Sequence, residues 1–427
     1  LITGPNNSGK STIIEALRAR AGHQSPTFSE GTRNKEADFV RFSYEFENRM
    51  EVIESLRPGS SQAKVLGKSA GDKIMVLPSR RGFSAYFGRA VGNRDSYIDG
   101  TPLPARRLQE LSSFEMRLFE IEGNPQVFNE LLGELLGYAP TWSIDQSAEG
   151  SYYVRIRNGK SSHSTDGAGE GIVSLFSIVD ALTCSGPGAI LAIDEPELSL
   201  HPAILRRLSG VFLRFSADRQ IVIATHSPYF VDPRAISNGA ALVRVVSTLG
   251  ESEVFQLSEE GREALRKMHN PDKPNLKAPH TFGLDAKELF FQDDRIVLTE
   301  GQDDVMLYPE VVSQLPIGRM PGHLFGWGVG GADNMSHVCR VLSDLGYKRV
   351  AALLDNDQLD KLDALRSAYP AYKFYVIPAK DVRDKGVVDA KPAVEGLLEG
   401  GKTLRVQYQA ALQSIFQEID THFTPAL

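Results

Sequence analysis

The sequence has few cysteines, no long apolar run and no excess of positive charge. Only 2 of its 427 residues are cysteine, and Cys184 and Cys339 fit no paired spacing. This pattern excludes a disulfide scaffold and a cysteine zinc site, and it favours a reducing, cytoplasmic setting. No apolar stretch approaches the roughly 18 residues that a membrane-spanning helix requires, so we expect that this is not a membrane protein. The 47 basic and 54 acidic side chains give a net charge of -7, which over the whole chain argues against a polyanion as partner.

The order of predicted elements indicates an α/β protein with more than one domain. Apolar runs typical of strands alternate with helical patterns, which predicts a largely parallel core sheet. A helical insertion is expected from about 106 to 138, where apolar residues recur at spacings of three and four. Three prolines at 270–279 interrupt any regular element, so we expect one domain at 1–280 and a second at 286–427. The chain starts in the tail of a strand, and we expect further residues upstream.

The N-terminal region contains a phosphate-binding motif. The segment GPNNSGKST fits the pattern GxxxxGK[ST] and lies between an apolar run and a helical pattern. Its glycines let backbone N–H groups surround phosphates at a helix N-terminus. Lys10 would reach the β- and γ-phosphates and Ser11 would coordinate Mg²⁺, roles that a plain glycine-rich turn would not explain. The predicted nucleotide-binding residues are Gly4, Asn6, Asn7, Ser8, Gly9, Lys10, Ser11 and Thr12.

Two later strand ends add polar side chains to this predicted site. The apolar run at 189–193 leads into Asp194 and Glu195. Asp194 would bind Mg²⁺ and Glu195 would polarise the attacking water, unless the pair only caps the next helix. The apolar run at 221–224 is followed after one residue by His226. His226 would sense the γ-phosphate, although a lone histidine is more often structural.

These motifs, in this order, resemble the ATPase core of ABC-type proteins, in the branch that includes the structural-maintenance and recombination ATPases. The resemblance implies two heads with ATP between them, each phosphate loop being completed by a signature loop of the opposite head. The candidate signature is DGAGEG at 166–171, with Gly169 near the phosphate. It departs from the family pattern by having Gly167 in place of serine, and a plain glycine-rich loop is the alternative. The segment 200–202 would link the two sites.

The second half carries acidic residues at two further strand ends. One apolar run ends at Glu300, with Asp304 four residues later, and another ends in Asp355 and Asp357. Parallel strands end at the same edge of a sheet, so these carboxylates are expected to converge. Four like charges in one crevice repel each other unless cations neutralise them, and carboxylate oxygens suit Mg²⁺ or Mn²⁺. Helix capping at two strand ends is the alternative.

This arrangement is similar to the TOPRIM domain of topoisomerases, primases and OLD-family nucleases. The resemblance implies a glycine-rich element between the acidic motifs, and WGVGGA at 327–332 matches it. It also implies a further acid and a lysine, which we match to Glu395 and Lys402, with a solvated charged face as the alternative. Other residues compete for these two roles: Asp381, Asp384, Asp389, Lys385 and Lys391.

An ABC-type head followed by a TOPRIM domain resembles the OLD (overcoming lysogenization defect) family of ATP-dependent nucleases, which includes Gabija-type and retron-associated phage-defence proteins. The resemblance implies an ATP-regulated DNA endonuclease with two Mg²⁺ or Mn²⁺ ions in the TOPRIM site and one ion with ATP. The implied catalytic residues are Glu300, Asp355, Asp357, Lys402, Glu195 and His226. The implied metal ligands are Glu300, Asp304, Asp355, Asp357, Glu395, Ser11 and Asp194. The implied partners are double-stranded DNA, a second copy bound through the ATPase heads or a tetramer, and a reverse transcriptase with its noncoding RNA or a helicase.

The segment at 78–107 offers a positive surface for DNA. It holds six arginines against two acids, a local charge of +4, interleaved with aromatic residues. The alternative is that some of its arginines serve the ATPase interface or pair with a neighbouring acid. The arginines are Arg80, Arg81, Arg89, Arg94, Arg106 and Arg107. The competing function is an ABC-type DNA clamp or sensor with a non-catalytic TOPRIM assembly module, which predicts DNA binding without strand breaks.

Overall fold

The computed structural model of the chain divides into two compact units. The first comprises Leu1–Ile2 and Gly9–Phe230, and the second comprises Thr3–Ser8 and Val231–Leu427. The structure describes residues 1–21, 34, 36–67, 73–81, 88–89, 114–158, 161–164, 169–269, 283–288, 290, 294–387 and 392–424. In these ranges no helix is both long enough and apolar enough to cross a bilayer.

A parallel sheet forms the centre of the first unit. The strands as far as residue 224 are β1 (Ile2–Thr3), β2 (Arg41–Phe46), β3 (Arg49–Ser55), β4 (Ala63–Leu66), β5 (Ile74–Leu77), β6 (Thr141–Gln146), β7 (Tyr152–Asn158), β8 (Ser161–Ser164), β9 (Ile190–Asp194) and β10 (Gln220–Ala224). β1, β10, β9 and β5 lie side by side in that order, and each pairing is parallel. Two antiparallel sheets, β2–β3–β4 and β6–β7–β8, accompany them.

Helices cover the parallel strands of the first unit. They are α1 (Lys10–Arg20), α2 (Glu115–Gly123), α3 (Gln126–Leu136), α4 (Glu170–Cys184) and α5 (Pro202–Phe215). Every residue from Val173 to Leu182 is buried, so α4 is a central helix. α2 and α3 occupy the described part of the expected helical insertion.

The second unit contains another parallel sheet. Its elements are α6 (Pro233–Ser237), β11 (Val243–Thr248), β12 (Glu251–Gln256), α7 (Glu259–His269), α8 (Leu284–Glu288), β13 (Arg295–Leu298), α9 (Gln302–Ser313), β14 (His323–Leu324), α10 (Ala332–Asp344), β15 (Arg349–Leu354), α11 (Leu359–Ala368), β16 (Lys373–Val376), β17 (Leu398–Glu399), β18 (Thr403–Leu404) and α12 (Val406–Phe423). The strand order is β14–β13–β15–β16, all parallel. The predicted α/β class with a largely parallel core is therefore confirmed.

The compact units divide between Phe230 and Val231, about fifty residues before the predicted domain boundary. Within the second unit, α7 packs against α10. The backbone N–H of Ser258 donates to Asp344 Oδ2 at 3.0 Å, and a side chain on Gly261 would meet the same carboxylate at 2.3 Å. Contacts between residues more than 80 positions apart leave no local sequence signal, so proline content could not reveal them.

Candidate functional site

The loop between β1 and α1 has the backbone that a phosphate-binding loop needs. Gly4 and Gly9 adopt φ angles of 136° and 103°, and Asn7 adopts 60°, all in the left-handed region. A Cβ on Gly4 would lie 2.1 Å from the Val245 carbonyl oxygen, so only glycine fits there. Gly9 precedes α1, and no side-chain cap covers the first N–H groups of this helix. Uncapped N–H groups at a helix N-terminus suit an anion such as phosphate.

Ser11 and Asp194, the two predicted Mg²⁺ ligands of the nucleotide site, contact each other. Ser11 Oγ donates to Asp194 Oδ2 at 3.0 Å. Asp194 Oδ1 is buried and has no hydrogen-bond partner among the described residues. Burial raises the pKa of Asp194 to about 6. A hydroxyl and an unpartnered carboxylate oxygen side by side are a donor set that fits Mg²⁺.

Glu195 and His226 lie together at the ends of β9 and β10. Glu195 has a φ of 46°, which is uncommon for a residue other than glycine. Its N–H donates to the Ala224 carbonyl at 2.7 Å, and its Oε1 lies 3.9 Å from His226 Nε2. Burial lowers the pKa of His226, which favours the neutral imidazole. The structure therefore brings these two predicted residues to one place.

Glu197 is a functional candidate that the sequence prediction missed. Its carboxylate accepts hydrogen bonds from Thr225 Oγ1 at 2.8 Å and from the His226 N–H at 2.6 Å. Burial raises the pKa of Glu197. The carboxylate therefore fixes the loop that carries His226. The signal was a third acid within four residues, in the segment DEPE.

Arg81 is not part of a DNA-binding surface, contrary to the prediction. Its side chain is buried, at 2% relative exposure. Its guanidinium donates to the carbonyls of Asp194 at 2.8 Å and Glu195 at 3.1 Å. It also donates to Ser174 Oγ on α4 at 2.9 Å. Arg81 thus holds the backbone that carries the two acids, which is the alternative role considered for these arginines.

Other predicted residues of the first unit lie at its surface or outside the described ranges. Gly169 is exposed and precedes α4, and the Glu170 carboxylate accepts from Ser199 Oγ at 3.0 Å. His201 Nδ1 accepts from the Ala203 N–H at 3.2 Å and caps α5. Arg80 and Arg89 are exposed. The predicted residues outside the described ranges are Asp166, Gly167, Ala168, Arg94, Arg106 and Arg107.

The second unit has an acidic cleft at the carboxyl edge of β13 and β15. The cleft, with a volume of about 350 Å³, has room for several waters or ions. Three of the predicted carboxylates contribute to it. The lining residues are Glu300, Gly301, Gln302, Asp303, Asp304, Gly330, Gly331, Asp355, Asp381 and Lys385.

Backbone N–H groups hold the acids of this cleft. The Asp355 N–H donates to Glu300 Oε1 at 2.9 Å, and the Gly301 N–H donates to Asp304 Oδ2 at 2.9 Å. Burial, followed by neighbouring carboxylates, raises the pKa of Asp355 to about 9 and that of Asp304 to about 6. In the described ranges, no three metal-ligating side chains stand close enough to hold an ion in this arrangement. The oxygen donors nevertheless fit Mg²⁺ or Mn²⁺, and cations would relieve their repulsion.

Asp381 and Lys385, rather than Glu395 and Lys402, complete the cleft. The Lys385 ammonium bonds to the Asp381 carboxylate. Glu395 is exposed, and its Oε1 accepts from Gln407 Nε2 at 2.9 Å at the start of α12. Lys402 is also exposed and does not line the cleft. Both matches came from residue type and approximate distance along the chain, which do not fix the path of an irregular segment.

Two other predicted acids, Asp357 and Asp384, also lie outside the cleft lining. Asp357 is exposed, and its Oδ1 accepts from Gln358 Nε2 at 2.8 Å. Asp384 is engaged by Arg405, whose Nη1 lies 3.0 Å from Asp384 Oδ1. Asp389 and Lys391 are outside the described residues.

The glycine-rich loop lies against the first acidic motif, where the resemblance required such an element. The Gly331 N–H donates to the Glu300 carbonyl at 2.8 Å, and the Val329 N–H donates to the Thr299 carbonyl at 2.8 Å. A Cβ on Gly328 would be 2.7 Å from the backbone of Gly301, so the two chain segments touch. This contact explains why glycine is needed at 328.

Two family models match the N-terminal half of the chain. Residues 1–87 match a model described as "AAA domain", and residues 100–232 match one described as "AAA domain, putative AbiEii toxin, Type IV TA system". With the site geometry, these matches show an ATPase domain of the AAA/ABC type, which implies nucleotide and Mg²⁺ binding. The predicted ATPase is therefore confirmed at this level. No curated protein matches the chain.

Solved structures of SMC heads are weakly similar to this chain. One is an Smc head domain with an extended coiled coil bound to the C-terminal domain of ScpA, from Pyrococcus furiosus; identity is 15%, coverage is 64% of this chain and 92% of that chain, and the TM-score is 0.39. Another is the SMC head domain from Thermotoga maritima; identity is 16%, coverage is 60% and 89%, and the TM-score is 0.32. TM-scores this low support no argument about fold or function.

Proposed function

We propose that this protein is an ATP-regulated, divalent-metal-dependent DNA endonuclease that hydrolyses phosphodiester bonds in the acidic cleft of the second unit. The observation that carries the proposal is the convergence of Glu300, Asp355 and Asp381 beside Lys385 at the carboxyl edge of a parallel sheet. Such an edge is where open α/β sheets place their ligands. The motifs described above, which resemble those of TOPRIM domains and OLD-family nucleases, support the same reading.

The cleft residues have separable roles in this proposal. Glu300, Asp355 and Asp381 would hold two Mg²⁺ or Mn²⁺ ions, which supply Lewis acidity for water activation and for the leaving oxygen. The Asp355 N–H orients the Glu300 carboxylate through the bond at 2.9 Å. Lys385 would offset negative charge that develops on the phosphate in the transition state.

The nucleotide site would regulate access to the cleft. Ser11 and Asp194 would hold the Mg²⁺ that accompanies ATP, and Glu195 would polarise water for ATP hydrolysis. ATP shifts an equilibrium between conformations only by its difference in affinity for them. We further propose that heads of two copies associate, into a dimer or a tetramer. A cytoplasmic role in phage defence, with a reverse transcriptase and its noncoding RNA or a helicase as partner, follows from the OLD resemblance.

A cleavage assay tests the proposal. Supercoiled plasmid is incubated with the protein and Mg²⁺ or Mn²⁺, with and without ATP, and linear DNA and RNA are tested in parallel. We expect metal-dependent nicking that ATP changes. Glu300→Gln should abolish it and leave ATP hydrolysis intact. Intact, ATP-hydrolysing protein that cleaves no nucleic acid under any of these conditions contradicts the proposal.

The second candidate is an ABC-type DNA clamp or sensor in which the second unit is a non-catalytic TOPRIM assembly module. The observation that favours it is that no three metal-ligating side chains of the described residues are close enough to hold an ion. It predicts ATP hydrolysis and DNA binding without strand breaks. The same assay with a DNA-binding measurement separates the two candidates.

A further inference from the structure

Trp327 is an aromatic residue displayed on the glycine-rich loop of the second unit. Its relative exposure is 40%, and its indole N–H donates to Asp285 Oδ2 at 2.5 Å. Gly326 and Gly328, with φ angles of 45° and 81°, flank it. One exposed aromatic residue is common and needs no explanation by itself. Trp327 is of interest because its neighbours in the chain contact the acidic cleft.

The glycine-rich loop brings the backbone of Trp327 close to the acidic cleft. Gly328, the next residue, packs directly on the backbone of Gly301, which lines the cleft beside Glu300. Gly330 also lines it. Consecutive Cα atoms are about 3.8 Å apart, so the backbone of Trp327 lies within a few ångströms of a cleft-lining segment.

The same region carries cations that suit a phosphate backbone. Lys361 Nζ lies 2.6 Å from Asp333 Oδ1, one residue into α10 after the glycine-rich loop. Lys385 lines the cleft itself. Arg383 Nε lies 2.8 Å from Asp303 Oδ2. Each cation has an acidic neighbour, so phosphates would compete with carboxylates for it.

We propose that Trp327 stacks on a nucleobase next to the scissile phosphate. The preferred substrate then presents an unstacked base, either in a single strand or displaced from a duplex. Aromatic side chains bind bases of any sequence through their π-faces, while cations bind the backbone. This inference rests on the proposed nuclease function, and it names the substrate class of that cleft. The opposing role for Trp327 is a structural one, in which its bond to Asp285 only fastens the loop to α8.

The chain has only two tryptophans, so replacing one of them makes the fluorescence report on Trp327 alone. Trp142→Phe removes the other, which packs edge-on against Phe128 and Phe176 in the first unit. The full-length variant is titrated with short oligonucleotides in Ca²⁺ in place of Mg²⁺. We expect quenching by single-stranded or gapped DNA and little by fully paired DNA. If Trp142→Phe folds poorly, the difference between wild type and Trp327→Phe gives the same signal.

Kinetics provide the second readout. Trp327→Ala should raise KM for single-stranded DNA about tenfold, and Trp327→Phe should raise it less, because phenylalanine still stacks. An unchanged melting temperature of the second unit shows that Trp327→Ala folds. Wild-type cleavage with no quenching and an unchanged KM overturns the inference and leaves the proposed nuclease standing. Quenching by unpaired DNA without any wild-type cleavage supports stacking and overturns the nuclease.

Discussion

The nucleotide site and the acidic cleft both collect buried carboxylates, but they balance them differently. In the nucleotide site Asp194 accepts from Ser11, Arg81 binds its carbonyl, and Lys10 lies among the acids. In the cleft Asp355 faces Glu300, Asp304 and Asp381, and burial with these neighbours raises its pKa to about 9, against about 6 for Asp194. The nucleotide site is thus arranged before its ligand binds, whereas under the proposed function the acids of the cleft would be balanced by added cations.

Lys10→Ala should break one side of this comparison and leave the other intact. Lys10 is buried among Glu195, Asp194 and Glu197, so its removal deprives both ATP and these acids of their cation. We expect ATP hydrolysis to fall at least about 100-fold. Binding of Mn²⁺ to the cleft, followed by calorimetry, should be unchanged. Lys385→Ala, in the cleft, is the matched control and should leave ATP hydrolysis unchanged. Loss of Mn²⁺ binding in Lys10→Ala would show that the two sites are not independent.

Arg81→Ala tests whether the nucleotide site is arranged before its ligand binds. The substitution leaves the Asp194 and Glu195 carbonyls without a donor in a buried place, and it should lower the free energy of unfolding of the first unit by about 3 kcal/mol. Chemical denaturation followed by a probe in that unit measures it. The exposed neighbour provides the control, because Arg80→Ala should change stability by less than about 0.5 kcal/mol. Equal effects from both variants would show that Arg81 does not hold the backbone of Asp194 and Glu195 in place.

Asp355→Asn should sharpen the comparison from the side of the cleft. Because its pKa is raised to about 9, the Asp355 carboxyl must take up a proton on folding near neutral pH, and asparagine avoids that cost. The substitution should therefore raise the melting temperature of the second unit by about 3 °C in EDTA, equivalent to about 1 kcal/mol. The stabilisation by Mn²⁺ should disappear at the same time. Asp360→Asn, an exposed site on α11, should do neither. A lower melting temperature in EDTA would mean that the acids are already compensated.

The smallest effects test whether Glu395 and Lys402, assigned from sequence, or Asp381 and Lys385, which line the cleft, take part in cleavage. Glu395→Gln and Lys402→Ala should change cleavage by less than about twofold, since neither residue lines the cleft. Asp381→Asn and Lys385→Ala should lower it at least about tenfold. Initial rates of plasmid nicking at saturating Mg²⁺ provide the measurement. The reverse ranking would restore the assignment made from sequence.

Contiguous motifs made the strand-end residues predictable. Ser11 and Asp194 were identified because a short loop or a buried strand leaves the chain few paths. The glycine-rich element at 327–332 was matched through the resemblance to TOPRIM domains. In these segments, residue spacing nearly determines position in space.

Other residues were beyond local reasoning for physical reasons. Arg81 looked like a surface arginine because composition does not distinguish a buried guanidinium from an exposed one. Glu395 and Lys402 lie beyond residues 377–387, which form no helix or strand, and spacing there does not determine which side chain faces the cleft. The packing of α7 on α10 involves residues far apart along the chain, such as Ser258 and Asp344, and local composition does not reveal it.

Glu195 has a consequence for laboratory evolution. Its φ of 46° costs about 1 kcal/mol for a residue with a Cβ, and glycine adopts the same angle without that penalty. A library screened only for heat resistance would therefore enrich glycine at 195, while the same library screened for ATP turnover would retain glutamate. Under the role proposed for Glu195, heat resistance and turnover would select different residues at this position, so a thermostable version of the protein should be sought with codon 195 held fixed.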